Sequence, residues 1–422
     1  MNNSVESSPS SDDMSRLLLT HLGVTCALGS DKKLILEKLL AGDQSGLVQR
    51  TGFLPDQSVY VGEVQAALDP VPAHCEYWKC RNNELLYHAY QQIEPEIQGL
   101  LQRVEPHRIG IILGTSTTGV SDAETAIATY DKSGEWADGY HYGKQEMSCP
   151  SLFLKLLLGT TGPAYSVSTA CSSSGKAFAS AQRLLRSGMC DAVLVGGVDT
   201  LCKLTLNGFK ALESISPLKC APFTRDRKGI TIGEAAALFI LEPEVLGLEA
   251  SGSEVELRGV GESSDAHHIS APHPEGEGAA RAISAALRQA GLEAAAVDYI
   301  NLHGTATPLN DAMESKAVAA TLGDQVKCSS TKGTTGHTLG AAGALEAAFC
   351  WLLLSEFNQG EMLPPNAAEG ELDDALPALN WVQQGDVFRP LQPGVNERVL
   401  LSNSFAFGGS NVCVALSRKI SP

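Results

Sequence analysis

Ser168-Thr169-Ala170-Cys171-Ser172-Ser173-Ser174-Gly175-Lys176-Ala177 sets a thiol between a short β-like run at 165–167 and a small-residue helix read over 172–187. At such a junction the free backbone N–H groups and the helix dipole favour a thiolate, and the neighbouring Ser, Ala and Gly leave room for a substrate. Serines suit the helix cap, Ala177, Ala181, Leu184 and Leu185 supply an apolar face, and Gly188 is the stop. The next run, AVLV at 192–195, reads as a strand ending at Gly196-Gly197. Upstream, IGIIL at 109–113 reads as a buried strand entering the turn-rich segment 114–119, and 120–150 reads as a polar, aromatic covering insertion. Strand, turn, helix, strand is the grammar of an α/β fold. By itself Cys171 admits two readings, a nucleophile or a buried structural thiol.

The same grammar returns further along. Residues 299–302 and 326–328 read as strands, 340–354 as a helix, and 399–401 and 412–416 as strands around Gly408-Gly409. The stretch 355–396, Pro-containing and polar, reads as a surface excursion. Residues 244–253 turn acidic and Gly/Ser-containing, which marks a seam, and 1–14 reads as a disordered tail. A weak echo between Ser168-Thr169-Ala170-Cys171 and Ser330-Thr331-Lys332, each leading into a small-residue helix, points to one duplicated unit with both loops at one seam.

Over 422 residues, 31 basic and 48 acidic side chains leave a formal charge of −17, and 43% of residues are hydrophobic. That fraction builds a substantial core and excludes a mostly disordered chain. The charge argues against nucleic acid or an anionic membrane as the main partner. No membrane span is expected, because the apolar helix at 340–354 carries Glu346 and falls short of roughly 20 apolar residues. The eleven cysteines show no framework spacing, Cys75 and Cys80 have no second zinc-ribbon pair, and no signal-peptide pattern opens the chain. A cytoplasmic protein whose thiols are mostly small buried hydrophobes is the expectation.

Two histidines share the promise of Cys171. His303, in Asn301-Leu302-His303-Gly304-Thr305-Ala306-Thr307, follows an apolar strand, where open α/β sheets place their sites. His337 lies near a helix start, with Lys332 five residues before it and Glu346 nine after. The glycines from 333 to 343 lack the Lys-Ser/Thr of a phosphate loop, and no Gly-x-Gly-x-x-Gly occurs. His267, His268 and His273 have no partners at ligand spacing, so no metal is expected. One Cys and two His from separate strand ends point to acyl or related transfer through a thioester.

Read together, these segments resemble the elongating β-ketoacyl-acyl carrier protein synthases, over about 16–416. The motifs that carry the resemblance are the Cys171 segment, His303-Gly304-Thr305-Ala306-Thr307, the Lys332–His337–Glu346 set, and Asn403-Ser404-Phe405-Ala406-Phe407-Gly408-Gly409-Ser410-Asn411. The resemblance implies an α/β thiolase fold, a duplicated five-layer αβαβα architecture with mixed sheets. It divides the chain into a half at 15–250 carrying the cysteine and a half at 251–422 carrying both histidines. It also implies roles. Cys171 would accept an acyl group from a carrier-protein thioester. His303 and His337 would support decarboxylation of a malonyl thioester, with Lys332 and Glu346 as their polar support. The backbone N–H groups of Cys171 and Phe407 would form the oxyanion hole. Phe407, with Phe405, Thr305 and Thr307, would gate and line the substrate path, and Asp265 and His268 would belong to a second gate at 263–272. No cofactor is implied beyond the carrier's phosphopantetheine.

Two features depart from the family's usual pattern. Ala406 stands where the family often has Gly, and basic residues for docking an acidic carrier are sparse, with Lys203 and Lys210 the candidates beside Glu213. With the details Gly333-Thr334-Thr335 and Asn310 after Thr307-Pro308-Leu309, these favour a specialised carrier in a polyketide or aryl-polyene pathway over housekeeping fatty-acid elongation. The expected assembly is a homodimer, or a heterodimer with a homologous chain-length-factor-like subunit. The alternatives are a non-catalytic chain-length-factor-like subunit, which would have no need of Cys171, and a thiolase-type acyl-CoA acyltransferase, which would carry a second Cys.

Overall fold

The structure, a computed structural model, describes residues 15–244 and 254–420. The tail at 1–14 and all but Glu244 of the seam at 244–253 lie outside the described residues, as does the division drawn at 250.

The strands fall into two groups of similar build. In the first are β1 (Leu17–Thr25), β4 (Ile109–Gly114), β5 (Ala164–Val167), β6 (Ala192–Asp199) and β8 (Ala235–Pro243). In the second are β9 (Glu256–Ser264), β10 (Tyr299–Asn301), β11 (Lys327–Ser329), the two-residue β12 (Asn380–Trp381), β13 (Glu397–Phe405) and β14 (Ser410–Lys419). Their order is β12-β11-β10-β13-β14-β9-β1-β8-β6-β4-β5. Each group is mixed: β4 pairs in parallel with β5 and β6, and β10 with β11 and β13, while β1–β8 and β13–β14 are antiparallel. A single register pair, Leu18 with Glu256, joins the groups through β1 and β9.

Strand periodicity explains the layering. Along β8, Ala235, Ala237, Phe239 and Leu241 face one cluster, and Ala236, Leu238 and Ile240 face another. The first cluster also takes in the helices Ser173–Arg186 and Ala342–Leu354, which contact strands of both groups and therefore lie between them. Helices cover both outer faces, Arg81–Gln91 against β1, β6 and β8, and Glu277–Ala290 against β9 and β14. The result is five layers, αβαβα. The helix Ala342–Leu354 is buried along its whole length, which is why its sequence shows no polar face and why Glu346 needs a partner.

The two central helices approach closely because Gly343 carries no side chain where it meets Gly175, and Gly175 in turn makes room for Val412 of β14. A Cβ on Gly343 would meet the backbone N of Gly175 at 2.6 Å, and one on Gly175 would meet Val412 at 2.5 Å. A small separate sheet of β2 (Leu47–Leu54), β3 (Gln57–Gly62) and β7 (Ile232–Gly233) packs beside the main one. The excursion at 355–396 is less peripheral than its composition implies: Leu363, Val382 and Phe388 reach the central core, and β12 extends the sheet.

Candidate active site

Cys171 sits two residues before the helix Ser173–Arg186, and Ala170 before it holds a left-handed φ of +52°. The serines expected to cap that helix turn back to the loop. Ser173 Oγ donates to the Ala170 carbonyl (2.5 Å) and accepts from Thr169 N–H (2.9 Å), while Ser172 Oγ donates to the Thr169 carbonyl (2.9 Å). They fix the unusual turn that presents the sulfur.

His303 follows β10. The Glu314 carboxylate, from the helix Pro308–Leu322, accepts from the backbone N–H groups of His303 and Gly304, both at 2.7 Å, and from Asn403 Nδ2 at 3.1 Å. Burial pushes that carboxyl up to about 7. The small sheet holds the other histidine: His337 N–H donates to the Thr231 carbonyl (2.6 Å), and Gly233 N–H donates to the His337 carbonyl (2.9 Å). Thus strand ends from distant parts of the chain bring the two imidazoles to the thiol.

The geometry is close. His337 Nε2 lies 3.0 Å from Cys171 Sγ, and the two imidazole centroids are 5.2 Å apart at 86°. One donor atom from each of Cys171, His303 and His337 falls within a 4.8 Å set. Lys332 Nζ is 3.3 Å from His303 Nδ1 and forms a buried ion pair with Glu346. An ammonium has only hydrogens to give, so Nδ1 is the acceptor and the ring hydrogen of His303 sits on Nε2. That tautomer offers a donor where a metal site would need a lone pair.

Burial first, then Lys332, hold both imidazoles well below the ordinary histidine value, so they are neutral. The Glu346 carboxyl is raised to about 7 by burial, opposed by Lys332. The thiolate expected from the helix junction is not the resting state: burial pushes the Cys171 thiol up to about 11. Lys332 and the backbone N–H groups of Phe407 and Cys171 oppose that rise, and Asp199 adds to it. Desolvation outweighs the Lys332 charge and these two N–H groups together.

The three residues line a cavity of about 170 Å³ together with Thr305, Thr307, Phe405, Ala406 and Phe407. Ala406 has an extended backbone (φ −102°), so its methyl costs no strain where glycine is common. Asp265 and His268 stand back from the cavity. Asp265 accepts from Asn411 Nδ2 (2.8 Å) and its N–H donates to the Gly409 carbonyl (2.9 Å), while His268 Nδ1 accepts from its own loop. That loop reaches the cavity through Ser270 and Pro272 instead. Lys203 and Lys210, on the helix Lys203–Ala211, are exposed and outside the lining, and Glu124 accepts from the Lys203 and Leu204 N–H groups at that helix start.

Sequence reasoning missed Lys228, exposed at the mouth, and Phe209, whose ring lies 5.6 Å from that of Phe407. It also missed Glu314 and Asp199. Phe209 and Lys228 carry no local motif, and Glu314 stands in a polar stretch; Asp199 alone had a weak signal, as a carboxylate ending an apolar run.

Fold and site define a thiolase-fold acyltransferase with a Cys-His-His centre. Two family descriptions match the chain, "Beta-ketoacyl synthase, N-terminal domain" over residues 88–245 and "Beta-ketoacyl synthase, C-terminal domain" over residues 255–367. The chain belongs to the beta-ketoacyl synthase family and is a 3-oxoacyl-acyl-carrier-protein synthase. A "3-oxoacyl-[acyl-carrier-protein] synthase 2" of Synechocystis sp. is 32% identical, over 78% of this chain and 80% of its own. "Nodulation protein E" of Rhizobium meliloti is 35% identical, over 74% and 76% respectively. Among solved structures, a ketosynthase (ApeO) in complex with its chain length factor (ApeC) from Xenorhabdus doucetiae is 43% identical, covers 96% of this chain and 98% of that one, and superposes with a TM-score of 0.88.

Proposed function

We propose that Cys171 is the acyl acceptor, and that His303 and His337 drive the decarboxylating Claisen condensation with a malonyl-carrier thioester. The observation that carries this reading is the 3.0 Å approach of His337 Nε2 to the Cys171 sulfur inside a cavity shared with His303. A neutral thiol needs a base as it attacks, and a neutral imidazole at that distance is one. The sulfur adds to the acyl thioester carbonyl, the oxyanion is met by the N–H groups of Cys171 and Phe407, and the carrier thiolate leaves with the proton from His337. Malonyl thioester then loses carbon dioxide, and the enolate oxygen accepts hydrogen bonds from the Nε2–H groups of His303 and His337. His337 Nδ1 is buried with no hydrogen-bond partner among the described residues, so no protein group fixes the ring in one tautomer, and the base of the first step becomes the donor of the second by exchanging a proton with water. The enolate carbon attacks the acyl-Cys171 carbonyl and expels the sulfur as a thiolate, which regains its proton from water, giving a 3-oxoacyl chain two carbons longer.

In this reading substrates arrive on phosphopantetheine of an acyl carrier protein, no further cofactor takes part, and the enzyme works in the cytoplasm. Lys228 joins Lys203 and Lys210 as a docking cation. The likeness to a ketosynthase in complex with its chain length factor supports a specialised polyketide or aryl-polyene pathway and a heterodimer. Intact-mass measurement after mixing with an acyl-carrier thioester should give one acyl adduct, absent in Cys171→Ala. An adduct that survives that substitution would remove the cysteine from its role.

A further inference from the structure

Asp199, the last residue of β6, is a fully buried carboxylate with no ion-pair partner among the described residues. Its two oxygens face different parts of the chain. Oδ1 accepts from Thr115 Oγ1 (2.9 Å), Ser116 N–H (2.7 Å), Thr117 N–H (2.7 Å) and Thr117 Oγ1 (2.8 Å). Oδ2 accepts from Ala341 N–H at 3.1 Å. The Thr115–Thr117 segment leaves β4 beside the nucleophile turn, where Gly114 lies against Ser173 and Ser174. Ala341 belongs to the short turn Leu339–Ala341, between His337 and the helix that carries Glu346. A Cβ on Gly340 would meet Ser116 Oγ at 2.6 Å and Asp199 Oδ2 at 2.8 Å, so that glycine admits the carboxylate.

We propose that Asp199 is a positioning residue whose carboxylate clasps the Thr115–Thr117 loop to the turn at Ala341, and so holds His337 against Cys171. The inference rests on the reading of Cys171 and His337 given above. Leaving a charge buried without a cation costs stability, which a purely structural contact between two turns would not require. What the charge contributes is acceptor capacity. A neutral amide cannot accept from both sides, because its NH2 would face either the Ala341 N–H or the Thr115–Thr117 donors. Its negative charge also adds to the rise of the Cys171 thiol, against Lys332. Burial pushes Asp199 itself up to about 6, opposed by its bonds from Ser116, Thr117 and Thr115, so at neutral pH it is mainly ionised.

Two rates separate clasp from scaffold. One is self-acylation of Cys171 from an acyl-carrier thioester by intact mass, and the other is alkylation of Cys171 by iodoacetamide at pH 8. In Asp199→Asn, self-acylation should fall about 10- to 100-fold, the order expected when a reacting group is misplaced. Alkylation should rise, because removing the negative charge lowers the thiol. Thr117→Val keeps the charge and weakens the clasp, so its acylation should fall several-fold with alkylation within about twofold of the unsubstituted protein. Unchanged acylation in Asp199→Asn would overturn the proposal, as would an equal rise of alkylation in both variants, which general loosening produces. An unsubstituted protein that never acylates would instead count against the assignment of Cys171, so the two failures are distinguishable.

Discussion

Lys332 acts on the nucleophile and both imidazoles at once, and that makes it the most informative single residue of the site. It lowers the Cys171 thiol and both imidazoles, and its own charge is held by Glu346 in a nearly water-free setting. The sign of each effect follows from charge: a nearby cation favours a thiolate and disfavours an imidazolium. Because both histidines are held well below the ordinary value, self-acylation should not decline as pH falls through the range where a free imidazole titrates. In Lys332→Met the histidines rise, so the acid limb of the pH–rate profile should move to higher pH. Glu346, left beside an apolar chain, should keep its proton, and acylation at any one pH should slow because the thiol rises as well. A profile of self-acylation rate against pH for both proteins checks this; an acid limb that stays in place would mean Lys332 does not set the imidazoles. Cys171 and the histidines were legible in the sequence because each stands in a motif of small, turn-forming residues. The resting protonation of the thiol was not, since it depends on how much water the folded protein removes, and that is set by residues far away in the chain.

At the scale of elements, the crossing of Ser173–Arg186 with Ala342–Leu354 shows how tertiary contact overrides local preference. Glycine inside a helix is ordinarily worse than alanine by about 1 kcal/mol, so Gly→Ala usually stabilises. At Gly343 the new methyl would meet the backbone of Gly175 at 2.6 Å and 3.0 Å, and the sign should reverse. Gly99, in the helix Glu94–Arg103, has nothing within 4 Å and serves as the comparison. Thermal melting should place Gly99→Ala above the unsubstituted protein and Gly343→Ala below it; a gain in both would refute the close crossing. The strands IGIIL and AVLV and the all-apolar helix could be read directly, since length and apolar runs define them. The serine caps misled: Ser172 and Ser173 are spent on fixing Thr169 and Ala170, an outcome that helix propensity does not encode. The excursion at 355–396 misled for a related reason. Its few apolar residues, Leu363, Val382 and Phe388, carry the packing while its polar majority faces out.

For the whole molecule, duplication brings the thiol from one strand group and the imidazoles from the other into a single cavity. Whether a second chain completes the acyl path is a question of assembly, and the prediction is specific. Co-expression with a homologous subunit that lacks the cysteine should give a one-to-one complex by native mass spectrometry, with self-acylation of this chain faster than when it is expressed alone. Recovery of this chain only as a homodimer would favour the housekeeping reading. One topological feature reaches further. β14 is the last strand of the sequence, yet it lies inside the sheet, paired with β13 on one side and β9 on the other. A ribosome adding about 5–20 residues per second therefore exposes β9 for many seconds before its neighbour exists. Until then two strand edges stand open in the nascent protein, a template for pairing with other chains. Removing the ten-residue strand Ser410–Lys419 should therefore leave β9 and β13 with open edges, and the truncated protein should aggregate where the full chain does not, as light scattering after refolding would read.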